Sequence, residues 1–169
     1  AVFKMLAPPS KDDSPQLYSI MGDLTGFAHK DVTQCPDDAH FMKNGKPTDL
    51  DVAFQNPNTA VYLSEEKTTT INFTQDGGAT WETVKHKPDP ATGGQVAMSA
   101  DGSSTIWVPN SISGKPYVTT DLGKTWYYVE GLGFNAKIAA DRVNPKVFYA
   151  TCDGLFYVSR DGGVTFEST

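Results

Sequence analysis

The chain has 169 residues with 38% apolar content, enough for one domain-sized core. Its formal net charge is −6 and its Lys and Arg form no basic stripe, so a nucleic-acid partner is not expected. No apolar run reaches about 18 residues, so no membrane-spanning helix is expected either. Two cysteines, Cys35 and Cys152, are too few to imply a disulfide framework, and free thiols are an equal reading. The first residues lack a charged-then-apolar leader, as a mature or excised chain would.

In chain order, Pro8–Pro15 with Asp12-Asp13 reads as a polar connection. Leu17–Met21 reads as a strand that runs into Gly22-Asp23-Leu24-Thr25-Gly26-Phe27 and then Ala28-His29-Lys30-Asp31. A carboxylate between a strand end and a Gly-bearing turn, with an aromatic and a histidine close behind, is a candidate site. The plainer reading makes Asp23 a turn residue and His29 a solvated one. Asp37-Asp38 after Pro36 reads as loop.

From residue 50 onward a unit repeats. First strands are expected at Leu50–Phe54, Gln95–Ser99 and Lys137–Ala140, and second strands at Ala60–Leu63, Thr105–Val108 and Val147–Ala150. Third strands fall at Thr70–Phe73, Pro116–Val118 and Leu155–Val158, and fourth strands begin at Trp81, Trp126 and Phe166. Between third and fourth strands stands the pattern Ser/Thr-x-Asp-x-Gly-x-Thr-aromatic. It recurs as Thr74-Gln75-Asp76-Gly77-Gly78-Ala79-Thr80-Trp81, Thr119-Thr120-Asp121-Leu122-Gly123-Lys124-Thr125-Trp126 and Ser159-Arg160-Asp161-Gly162-Gly163-Val164-Thr165-Phe166.

Asp followed by Gly favours a tight turn, because Asp hydrogen-bonds its own backbone and Gly tolerates positive φ. Asp76, Asp121 and Asp161 are therefore expected to be structural. Four short strands per 40–45 residues (Asp76 to Asp121, Asp121 to Asp161) is the period of a β-propeller blade. The expected class is all-β, with an incomplete blade in 1–49 and blades at 50–88, 95–131 and 137–169. Three to four blades alone would leave bare faces and edges, so a piece of a larger propeller is expected. Trp81, Trp126 and Phe166 are expected as core pillars. Trp107, in a second strand heading towards a loop, is a candidate sugar platform as well as a candidate core residue. Asn72-Phe73-Thr74 is a glycosylation sequon placed inside an expected strand.

The repeated pattern is that of the Asp-box, which many propellers share and which speaks only of fold. The order of Gly22–His29, Leu50–Asn58, Val96–Ser103, Ala140–Tyr149 and Phe156–Phe166 more specifically resembles glycoside hydrolase family 74, the xyloglucanases and oligoxyloglucan reducing-end-specific enzymes. Leu24 and Thr25 stand where that family usually has Ile and Gly. The resemblance implies part of the second of two seven-bladed propellers facing across a cleft. It implies an inverting hydrolase acting on the β-1,4-glucan backbone of xyloglucan, with one catalytic Asp from each propeller. It carries over Asp23 as one of that pair, acid role favoured and base role open, and places the second carboxylate in a first propeller outside this chain.

On this reading Phe27, His29 and Trp107 are candidate substrate-binding residues, no cofactor or metal is required, and the location is extracellular. The chain alone is expected to be inactive. The alternative is a non-catalytic Asp-box propeller that binds a glycan or a protein, as in sortilin-type receptors and photosystem-assembly factors. The Asp23 segment separates the two, since a binding module has no need of it.

Overall fold

Strands account for all the regular structure among the described residues, and every strand pairs antiparallel with the next in its sheet. The computed structural model describes residues 2–11, 13–22, 25–36, 45–65, 67–88, 91–110 and 114–169, with Phe3 and Thr25 by backbone alone. Asp12, Asp37 and Asp38 lie outside the described residues.

The first sheet holds β1 (Val2–Leu6), β2 (Leu17–Met21) and β3 (Thr25–His29), in that order. The second holds β4 (Lys46–Val52), β5 (Ala60–Glu65), β6 (Thr69–Thr74) and β7 (Glu82–Thr83). The third is β8 (Gln95–Met98), β9 (Thr105–Val108), β10 (Tyr117–Thr119) and β11 (Tyr127–Tyr128). The fourth is β12 (Lys137–Ala140), β13 (Phe148–Cys152), β14 (Leu155–Ser159) and β15 (Glu167–Ser168). These are propeller blades. β4 starts at Lys46, ahead of the expected Leu50, because a register irregularity between Pro47 and Asp49 lets the strand continue past the proline.

The blades stack face to face, and the strand period of two sorts side chains between neighbouring cores. Along β5, Ala60 and Tyr62 enter a core with Tyr18, Ile20, Leu50 and Val52. Val61 and Leu63 enter the next, with Ile71, Phe73, Val96, Met98 and Trp107. The third core joins Ala97, Ile106, Val108 and Val118 to Phe148, Ala150 and Phe166. Burial on both faces explains why the β5 sequence Ala-Val-Tyr-Leu shows no polar alternation. Each Val, Leu, Ile or Phe so buried contributes about 1.5–3 kcal/mol. The fourth sheet is covered on one side, and its far face exposes Phe156.

At the inner edge, carboxylates replace a missing strand. β8 is the innermost strand of its sheet, and its Val96 and Met98 amides donate to Asp49 Oδ2 (2.8 Å) and Asp51 Oδ2 (2.7 Å) of β4. Lys4 on β1 pairs with Asp49 at 2.8 Å. Arg142, following β12, reaches past the third sheet to Asp51 at 2.8 Å, off the line of an ideal hydrogen bond, and lies 4.5 Å over the Phe54 ring. Burial pushes the Asp51 carboxyl up, and Arg142 and the Met98 amide oppose that rise. All four sheets are thus tied through two aspartates of one strand.

The two ends of the stack differ. One carries the Asp-box turns, where Gly77 and Gly162 amides dock on Asn58 and Lys146 carbonyls of the connections between first and second strands. The other, the hairpin end, carries the connections between second and third strands.

Candidate functional site

The Asp-box turns repeat one hydrogen-bond pattern. Thr74 Oγ1 donates to Asp76 Oδ1 (2.8 Å), and the Thr80 amide (2.9 Å) and hydroxyl donate to the same carboxylate. Thr119, Asp121 and Thr125 reproduce this, as do Ser159, Asp161 and Thr165. The third glycine-bearing position needs positive φ and space: Gly163 has φ 91°, and a Cβ there would sit 2.4 Å from Ile106 Cδ1. Trp81 and Trp126 close their turns by donating from Nε1 to the Gly78 and Gly123 carbonyls, and Phe166 is buried in the third core. Burial alone would raise these carboxyls, but the hydrogen bonds from the two Thr or Ser partners bring Asp76, Asp121 and Asp161 below the usual Asp range. Such carboxylates are committed to their turns and hold no proton near neutral pH.

A cleft of about 510 Å³ opens at this end between the second and third sheets, lined by Asp76, Glu82, His86, Leu122 and Lys124 among others. With Asp76 committed, Glu82 is the remaining carboxylate in its lining, and one carboxylate does not make an acid–base pair.

At the hairpin end, β2 and β3 close at the Met21–Thr25 pair. Asp23 and Leu24, between them in sequence, lie outside the described residues. Phe27 pairs with Ser19 and His29 with Leu17, so both project from the face opposite Tyr18, Ile20 and Ala28. Their rings lie 5.7 Å apart at 34°, and Ser19 Oγ is 3.2 Å from His29 Nε2. Desolvation lowers the His29 pKa, so the ring is neutral at pH 7. At about 3.3 Å per residue, Phe27 stands roughly 7 Å and His29 roughly 13 Å along β3 from Thr25. Nearness in sequence therefore keeps Phe27 by the closing turn and carries His29 away from it.

Trp107 requires a correction. It is fully buried, donates from Nε1 to the Gly93 carbonyl (2.8 Å), and is enclosed by Tyr117 at 5.9 Å and Trp126 at 6.1 Å. No ring face is left for a sugar, because β9 is an interior strand covered on both sides. The exposed aromatics are two strands further out, on β11. Trp107, Tyr117 and Tyr128 occupy matching positions on β9, β10 and β11, and Tyr127 and Tyr128 are about 60% exposed. The Trp126-Tyr127-Tyr128 run, read as an outermost two-residue strand, could have signalled this. Cys35 and Cys152 are both free, and Asn72 of the sequon is buried and bonded to Thr70 and Thr83.

No protein-family model matches the chain. Relatives match it over its full length. A xyloglucanase, Xgh74A, of Acetivibrio thermocellus is 39% identical across 100% of the chain and 20% of its own length. An oligoxyloglucan-reducing end-specific xyloglucanase of Emericella nidulans is 30% identical over 96% of the chain and 23% of its own. Among solved structures, the GH74 xyloglucanase of Xanthomonas campestris superposes with a TM-score of 0.83 at 26% identity, over 99% of this chain and 24% of that one. The chain is homologous to part of the glycoside hydrolase family 74 xyloglucanases. It spans about a fifth of the length of the relatives it matches, and its blades are those of the GH74 propeller fold.

Proposed function

We propose that the protein of which this chain is a part hydrolyses the β-1,4-glucan backbone of xyloglucan outside the cell, and that this segment supplies one carboxyl group, Asp23, to the reaction. The observation that carries the reading is the 39% identity to a xyloglucanase across the whole chain, the Gly22–His29 segment included. The hairpin end supports it, because the sequences of its connections do not repeat as those around Asp76, Asp121 and Asp161 do.

Glycoside hydrolysis with inversion needs one carboxylic acid to protonate the leaving oxygen and one carboxylate to activate water, roughly 6.5–9.5 Å apart. Asp23 takes the acid role, and a carboxylate from another part of the protein takes the base role across the cleft. Phe27, near the closing end of the hairpin, lines an adjoining sugar subsite, with His29 and Ser19 fixing its ring. No cofactor enters the reaction.

The test is Asp23→Asn in the full-length protein. The amide keeps the shape but neither gives nor takes the proton, so turnover of xyloglucan should fall about 10²–10⁴-fold with binding retained. An activated aryl glycoside, which needs little leaving-group protonation, should lose far less. Equal loss on both substrates would make Asp23 the base. Unchanged turnover on xyloglucan would remove Asp23 from the site, and proton NMR of the first-formed anomer decides inversion.

A further inference from the structure

We infer that the outer strand of the third blade presents a second glycan-binding surface, built on Tyr128, that takes β-linked glucan chains away from the reacting bond. The inference rests on the hydrolase reading above for the class of ligand, and on the aromatic ladder for the site.

Three rings stand in a row across three strands. Trp107 and Tyr117 have centroids 5.9 Å apart at 28°, and Tyr117 and Tyr128 are 5.0 Å apart at 30°. The row runs from a fully buried ring through a half-buried one to a ring 60% exposed. Continuation of the β10–β11 pairing through the Val129 amide and Pro116 carbonyl (2.9 Å) fixes the strand beneath. Tyr128 is therefore an exposed ring already held in place, which reduces the ordering cost of binding.

The exposure is intrinsic to the blade. The third sheet has a neighbouring sheet on each face, so Tyr128 is not a ring waiting for the next blade, as Phe156 on the fourth sheet's uncovered face is. A single planar ring with a phenol oxygen, and the Lys115 ammonium 5.6 Å from its centroid, matches a sugar: an apolar C–H face against the ring and hydroxyls towards the polar groups. At that separation Lys115 is at the loose limit of a cation–π contact and is free to turn to a sugar hydroxyl. A protein partner would ask for a broader apolar patch than one ring provides. Tyr128 pairs with Tyr117 at the start of β10, next to the Pro116 carbonyl, so the surface faces the hairpin end.

Adjacent residues supply the control. Tyr127 is as exposed as Tyr128 (61% against 60%) but points to the other face of the strand, outside the ladder. In the full-length protein, retardation in cold native gels containing xyloglucan or hydroxyethyl cellulose should weaken about three- to tenfold for Tyr128→Ala. It should be kept by Tyr128→Phe and by Tyr127→Ala. Wild-type retardation of Tyr128→Ala, or equal loss in Tyr127→Ala, would overturn the platform. Because retardation is read without hydrolysis, a protein that is held through Tyr128 but cleaves no xyloglucan would sink the hydrolase reading and leave the platform standing.

Discussion

At the Asp-box end, Asp76, Asp121 and Asp161 each accept from a Thr or Ser two residues earlier and from the Thr four residues on. At the hairpin end, the corresponding connections are Gly22-Asp23-Leu24, Glu66-Lys67-Thr68, the segment 109–116 and Asp153-Gly154, which range from two to eight residues and share no sequence pattern. Selection for one stable turn explains the first set. Repetition is what a structural requirement looks like when it recurs once per blade, and divergence is where individual blades are left able to take on chemistry. A carboxylate at one end is thus a turn component, and at the other, on the function proposed above, a reagent.

The largest effect expected from this contrast is on turnover. Asp23→Asn in the full-length protein should cost about 10²–10⁴ in rate with little change in unfolding, whereas Asp121→Asn should leave turnover near wild type. Reversal of these two outcomes in a paired kinetic and melting measurement would break the contrast outright.

Next is the inner edge, where aspartates serve neither purpose. Asp51→Ala strips Arg142 of its partner and leaves the buried Met98 amide without an acceptor, for a loss of about 3 kcal/mol in urea unfolding. Asp51→Asn keeps an acceptor for Met98 and should lose less; equal losses would show that the ion pair, not the amide cap, holds the sheets.

Asp121→Ala leaves the Thr125 amide and hydroxyl to water or to nothing, and should lower stability by about 1–3 kcal/mol. A fall in xyloglucan binding at an unchanged melting temperature would move the Asp-box into the functional column. The smallest effect is in pH. Asp76, Asp121 and Asp161 have folded pKa values below their unfolded ones, so their contribution is complete above about pH 4 and fades as pH drops through the folded values. In Asp121→Ala the slope of stability against pH below about 4 should be shallower than in wild type, and an identical slope would argue that the turn carboxylates are not what acid removes.

Much of this protein was legible in its residues. Periodic Asp, Gly and Thr placed three turns, and short runs rich in Val, Ile, Thr, Tyr and Phe between Gly, Pro, Asn and Asp placed the strands that flank them, because both signals are local: a turn is satisfied by its own side chains and a strand is favoured by its own residue types. Homology to a glycan-hydrolase family was legible through the order of segments from Gly22 to Phe166. What tertiary structure alone decided concerns residues whose environment comes from elsewhere in the chain. Trp107 reads as core or platform until the second blade is seen to cover it, and Tyr128 does not stand out until the ladder behind it appears. His29 is close to Asp23 by number, yet the antiparallel register carries it to the open end of the hairpin. Asp49 and Asp51 look like polar residues in a strand, and only blade-to-blade packing shows them capping the amides of β8. Local pattern fixes which strands form; burial and partnership depend on which blade faces which, and that is a property of the stack.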